Sequence, residues 1–160
     1  MASTASKRIK LIVDLSDLSR EASTYTILLH QAIADKLGLN ITDHKCLDLI
    51  ERIGTMTAGQ LAEITGLTTG AITGVIDRLE KAGYVRRERD PQDRRKVSVR
   101  LVPDRAYKDM SPLFEILSQR YEPILNSCTD AELSVIYKYL QGSNQAVKDA
   151  IVILRGREIR

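Results

Sequence analysis

The sequence predicts a mainly helical chain interrupted by one small β-hairpin. Apolar residues recur in steps of three and four from Leu11 to Ala32 and again through Ala106–Ile124, and at heptad-like spacing over Leu133–Leu154. Two threonines, Thr57 and Thr129, each stand three residues before a Gln or Glu, the spacing of a helix capping box. Only around Val97, Val99 and Leu101 does the apolar period fall to two, the mark of a half-buried strand.

Composition narrows the classes. At 160 residues, 43% hydrophobic and 28% charged, the chain has one domain's length and a globular balance. One Phe, six Tyr and no Trp leave the core to Leu, Ile, Val and Ala. The longest apolar runs are as short as Ala150–Leu154, against the ~20 residues of a spanning helix, so no membrane association is expected. Lys7, Arg8 and Lys10 precede only three apolar residues, too few for a secretory signal, and a cytoplasmic protein is expected. Cys46 and Cys128 lie far apart without a CxxC, so two reduced thiols are the default, with Cys46 a packed core residue.

The elements follow in order. Residues 1–8 are small and polar and are expected to be a disordered tail. Leu11, Leu15, Leu18, Ala22, Tyr25, Leu29 and Ala32 mark one long amphipathic helix ending near Gly38. Thr42 is expected to cap a second helix with Cys46, Leu49, Ile50 and Ile53 inward, stopped by Gly54. The Thr57–Gln60 box opens a short helix to Gly66. Thr68 or Thr69 opens the next, with Ile72, Val75, Ile76 and Leu79 inward, ending at Gly83. Strand, turn and strand follow over Tyr84–Arg89, Asp90–Asp93 and Arg94–Val102. Pro112 and Pro123 must start, kink or end a helix in the last third, and Gly142 is a weak point in the final one.

Charge is concentrated in one place. Arg78–Arg105 carries ten basic and five acidic residues, a net +5 against +3 for the whole chain, which leaves −2 elsewhere. A local basic patch on a slightly acidic protein fits a polyanion partner.

Two short helices joined through Gly66, with Ala62 small at their crossing, make a helix-turn-helix whose second helix enters a major groove. The outward face of that helix carries Thr69, Gly70, Thr73, Gly74, Asp77 and Arg78, with Thr68 at its start. Two interior glycines each cost about 1 kcal/mol relative to alanine, so a smooth face has a use, either close approach to DNA or packing against another helix. Thr73 can meet a thymine methyl or a phosphate, and Arg78 a phosphate or a guanine. The hairpin behind it, with Arg87, Arg89, Arg94, Arg95 and Lys96, has the form of a wing suited to a narrow minor groove. Asp93 is placed to hold Arg95 by a charge-assisted hydrogen bond.

The run Arg78-Leu79-Glu80-Lys81-Ala82-Gly83-Tyr84-Val85-Arg86-Arg87, followed by Asp93, Arg95, Val97, Val99 and Leu101, resembles the MarR family of bacterial winged helix-turn-helix regulators. The resemblance implies homodimers with interdigitated terminal helices, recognition helices in major grooves and wing arginines in minor grooves. It implies repression of nearby genes and release from DNA by a small-molecule effector. Val102-Pro103 departs from the leucine-threonine ending of that pattern. The family's peroxide sensors carry a cysteine near the start of the first helix, where this chain has none.

The long apolar stripes support a dimer independently, because a first helix from Leu15 to Leu37, ~34 Å long, is more than a small domain can cover alone. Two-fold pairing places recognition helices for half-sites ~34–36 Å apart on a pseudo-palindromic operator. The expected organisation is a dimerisation region at 9–39 and 104–160 around a DNA-binding domain at 40–103. DNA contacts are expected from Thr68, Thr69, Gly70, Thr73, Gly74, Arg78, Arg87, Arg94, Arg95 and Lys96. His30 and His44 are the candidates for the rim of an effector pocket. No metal, cofactor or catalytic residue is expected, since no nucleophile–base pair, phosphate loop or ligand cluster is present. A protein-interaction module would carry an apolar wing, and an architectural DNA binder would spread its basic charge over several faces.

Overall fold

The structure, a computed structural model, describes residues 2–89 and 97–156, with side chains from residue 5. Backbone contacts divide the chain into two units, Met1–Leu113 and Phe114–Arg160.

The first unit opens with α1 (Ala2–Leu37). It begins at Ala2, so the tail expected to be disordered is helical from its second residue. Ala2, Ala5 and Lys7 are good helix formers, and no Gly or Pro interrupts the run before Gly38. There the chain turns with Gly38 at φ 67°, and the Leu39 amide closes on the Ala34 carbonyl at 2.9 Å.

Helix α2 (Ile41–Ile53) is capped by Asn40, not by Thr42: the Asn40 side chain accepts the Asp43 amide at 2.8 Å. Asn40 sits in extended backbone directly after the turn, which puts Thr42 inside the first helical turn. Cys46, Leu49 and Ile50 are buried as the stripe requires, Leu47 is buried beside them, and Ile53, expected inward, is exposed at the helix end.

Strand β1 (Met56–Thr57) was not legible in the sequence, since two residues have no period. Helix α3 (Ala58–Thr65) starts with the expected box: Thr57 N–H donates to Gln60 Oε1 at 2.8 Å and Gln60 N–H to Thr57 Oγ1 at 3.2 Å. It stops at Gly66, left-handed at φ 76°. Of the two capping candidates for α4 (Thr69–Lys81), Thr68 takes the role and accepts the Ala71 amide. Strands β2 (Val85–Arg89) and β3 (Val97–Leu101) pair antiparallel with Arg87 opposite Val99, and β1 joins the far side of β3, giving the order β1-β3-β2. The core of this unit is Leu47, Ile50, Leu61, Ile72, Ile76, Leu79, Val99 and Met110, all essentially inaccessible to solvent.

Helix α5 (Pro103–Asn126) begins in the first unit and ends in the second. Pro103 occupies its first position, where a missing N–H costs nothing, which accounts for the departure at Val102-Pro103. Pro112 and Pro123 both lie within α5, so neither starts it. Helix α6 (Asp130–Leu154) opens with the second capping box, Thr129 with Glu132, and Gly142 does not break it. No residue of α6 is buried.

Candidate nucleic-acid interface

Helix α4 has two unlike faces. Ile72, Val75, Ile76 and Leu79 are sealed against the core, while Thr68, Thr69, Gly70, Thr73, Asp77 and Arg78 are exposed and Gly74 is half-exposed. A methyl group built on Gly70 meets nothing within 4 Å, and one on Gly74 meets only Arg78 Nη1, at 3.4 Å. Among the described residues, the glycines therefore relieve no helix–helix crowding. Thr73 Oγ1 donates to the Thr69 carbonyl at 2.9 Å, and the residue is exposed.

Arg78 is more committed than its sequence position indicates. Its Nε and Nη2 donate to the two oxygens of Asp43, both at 2.7 Å. The Asp43 side chain is only 3% exposed, against 53% for Arg78, and it also accepts from Asn40 Nδ2 at 2.8 Å. This ion pair ties α2 to α4. Asp43 escaped the sequence reading, although an acid on the Cys46–Leu47–Ile50 side of α2 was the available signal.

Arg87 is bound within the protein too. Its backbone N–H donates to Glu80 Oε1 at 2.9 Å, its Nη1 pairs with Glu80 Oε2, and its Nη2 reaches Asp77 Oδ1 at 2.5 Å. The backbone N–H of Arg87 is the chief cause holding the Glu80 carboxyl below its ordinary range. Arg87 therefore clamps β2 onto α4. Further along the wing, Arg86 pairs with Glu88 at 2.7 Å across the strand face. Arg94, Arg95 and Lys96, with Asp93, lie outside the described residues.

At the base of the wing, the Tyr84 hydroxyl donates to Asp109 Oδ2 at 3.1 Å, and Arg105 Nε donates to the same carboxylate at 2.9 Å. The Arg105 guanidinium stands 5.4 Å from the Tyr84 ring centroid. These contacts fix the first turns of α5 against the start of β2.

The two histidines come together, with His30 Nδ1 3.0 Å from His44 Nε2 where α1 meets α2. His44 is fully buried, so it forms no pocket rim, and His30 is half-buried. An open, mainly apolar cleft of about 380 Å³ lies instead between α2 and α3, lined by Ile41, Lys45, Leu49, Ile64 and Leu67 among others. Neither histidine borders it. Burial lowers both imidazole pKa values; Lys45 adds to the effect at each, and Asp48 opposes it.

Because both folded values lie below the ordinary 6.5, the unfolded chain takes up protons below that pH that the folded chain refuses. Stability is therefore expected to fall as pH drops from about 7 to about 6, and less steeply in His44→Asn. Thermal melts across that range check this; a flat profile in the parent protein would contradict it.

Cys46 is fully buried, and burial together with Asp43 pushes its thiol up to about 11, an inert core thiol. Among the described residues no group of three or more His, Cys, Asp or Glu can hold a metal ion. Among the described residues no helix is long and apolar enough to cross a membrane.

Comparison with known proteins matches this architecture. Residues 39–97 fit the model of the MarR family. The chain is 44% identical to the HTH-type transcriptional regulator YcgE of Bacillus subtilis, over 86% of this chain and 89% of that one. A MarR family protein from Bacillus stearothermophilus shares the fold, with a TM-score of 0.68 at 22% identity over 87% of this chain and 96% of that one. BpsR of Bordetella bronchiseptica, whose DNA binding is regulated by 6-hydroxynicotinic acid, aligns with a TM-score of 0.53 at 26% identity over 81% and 91% of the two chains. The polar outer face of α4, the wing behind it and this kinship together establish the chain as a member of the MarR family of DNA-binding transcriptional regulators.

Proposed function

We propose that the protein is a homodimeric repressor that binds a pseudo-palindromic operator and is released by a small-molecule effector. The smooth outer face of α4 carries this reading. Among the described residues no other helix packs on Gly70 or Gly74, yet each costs helix stability, so the surface they keep low serves a partner. A major groove is the partner that suits a helix with Thr68, Thr69 and Thr73 along the same face. Arg94, Arg95 and Lys96 supply the wing's minor-groove charge. Arg87, held by Asp77 and Glu80, acts chiefly by orienting β2 on α4, while Arg78, held by Asp43 along one edge, stays a DNA contact through the other.

The dimer rests on uncovered apolar faces. Leu11, Leu15, Leu18 and Tyr25 on α1 are 43–62% exposed. On α6, Leu140 and Val147 are 52% and 57% exposed. Such stripes call for a second copy. Residues 40–103 then form the reader, and α1 with residues 104–160 the pairing region. Regulation of BpsR by 6-hydroxynicotinic acid supports an effector of aromatic-acid type. His30 is the more accessible of the two histidines to meet it. A regulator of chromosomal genes works in the cytoplasm.

A duplex with two half-sites one helical turn apart tests the reading. Light scattering should show two chains per duplex, and binding should be at least ~100-fold tighter than to a single half-site, as linked sites allow. One chain per duplex, with equal affinity for both DNAs, would refute the dimeric mode.

A further inference from the structure

Arg78 reaches backward along α4 from three residues before its end and docks on α2. Asp43 occupies one edge of the guanidinium, the side formed by Nε and Nη2. The other edge, Nη1 with the second Nη2 hydrogen, is left over. Among the described residues Nη1 has no hydrogen-bond partner, and it stands over Gly74 on the outward face, 3.4 Å from where a Cβ would be. A bulkier residue at position 74 would crowd this edge, whereas glycine leaves it open.

We propose that Asp43 is a positioning residue for DNA binding: it locks Arg78 so that the free edge of the guanidinium meets an acceptor on DNA. The inference rests on the reading that the outer face of α4 contacts DNA, and it adds a residue of α2 that touches no DNA itself.

Arg78 keeps its grip on Asp43 in the complex. Withdrawal would leave a carboxylate that is 3% exposed with only the Asn40 side chain for company, an uncompensated buried charge. One face of a guanidinium fork can hold a carboxylate while the other end donates, an arrangement the single ammonium of lysine cannot reproduce. The acceptor is a phosphate oxygen or the O6/N7 edge of a guanine; both present the same acceptor chemistry.

The test is a double-mutant cycle of Asp43→Asn and Arg78→Gln, with Arg78→Lys alongside, read by fluorescence anisotropy on a duplex that the parent protein binds. Thermal melts report whether each variant folds. Asp43→Asn keeps the shape but removes the charge that orients the fork, and it should weaken binding at least ~10-fold. Arg78→Gln should lose as much, and the double variant should bind no worse than Arg78→Gln alone. Arg78→Lys keeps the charge and an ion pair with Asp43, and should still lose at least ~10-fold.

For a phosphate acceptor, the loss is uniform across sequences and the salt slope falls by about one; for a guanine acceptor, the loss vanishes on duplexes with that base replaced. Parent-like binding by Asp43→Asn, or a double variant whose loss is the product of the two single losses, would overturn the proposal. If Asp43→Asn fails to fold, Arg78→Lys decides alone, and parent-like affinity in that variant overturns it. Absence of binding by the parent protein would instead remove the DNA reading of α4.

Discussion

Gly74→Leu is expected to weaken DNA binding at least ~100-fold while the melting temperature holds or rises. Leucine is about 0.8 kcal/mol better than glycine in a helix interior, and among the described residues a Cβ at this position meets only Arg78 Nη1, at an ordinary contact distance of 3.4 Å. A helical leucine also leans over the preceding turn, toward Gly70, which is exposed and carries no side chain. The fold therefore tolerates the side chain, but a groove floor cannot. A hundredfold loss is roughly 2.8 kcal/mol, reasonable for a recognition helix held away from base edges. Gly70→Ala separates the smooth face from Arg78, because it touches no side chain. It should move stability and affinity in the same opposed directions, by less. Titration and thermal melting of both variants check this. Parent-like affinity in Gly74→Leu would mean that this face does not enter a groove.

Leu79→Ala is expected to cost about 2–5 kcal/mol of folding free energy, the range for a buried leucine truncated where its surroundings cannot collapse. Leu79 has no exposed surface and closes the inner stripe of α4 just before the wing. Its carbonyl also accepts the Tyr84 amide at 3.0 Å, at the turn into β2. Against a typical total stability of 5–15 kcal/mol, such a loss is a large share of what holds the reader together. Denaturant titration followed by circular dichroism gives the value. A loss below about 1 kcal/mol would mean that α4 is not held by its inner face.

Local chemistry was legible in the sequence wherever it was complete within a few residues. Thr57 with Gln60 and Thr129 with Glu132 are reciprocal boxes spanning one turn, and both form. The stripe of α4 and the existence of the two strands follow from periods of 3.6 and 2. Where two local signals competed, the reading slipped: Asn40 and Thr42 are both good caps, and only the turn at Gly38 decides between them. The two residues of β1 pair with β3 across more than forty positions, so nothing local announces them.

The same limit governed the interface. The threonines and glycines of α4 stand where the helical period places them. What each arginine does depends on distant carboxylates. Arg78 finds Asp43 from 35 positions away, and Arg87 finds Asp77 and Glu80 from 10 and 7. Composition marked the segment as basic, but only packing shows which of these charges the protein has already spent on itself. His30 and His44 are the chain's only histidines, and what their sequence positions do not tell is that the crossing of α1 and α2 pairs them, burying His44 and leaving His30 half-buried.

The central claim is sequence-specific recognition of DNA, and fluorescence-anisotropy titration across a salt series tests it most directly. The purified protein is titrated against a duplex from upstream of its own gene and against a scrambled duplex of the same composition. A preference of ~10³-fold or more for the native duplex, with affinity falling steeply as salt rises, is the predicted result. Equal affinity for both duplexes at every salt concentration, or no binding at low salt, would contradict it.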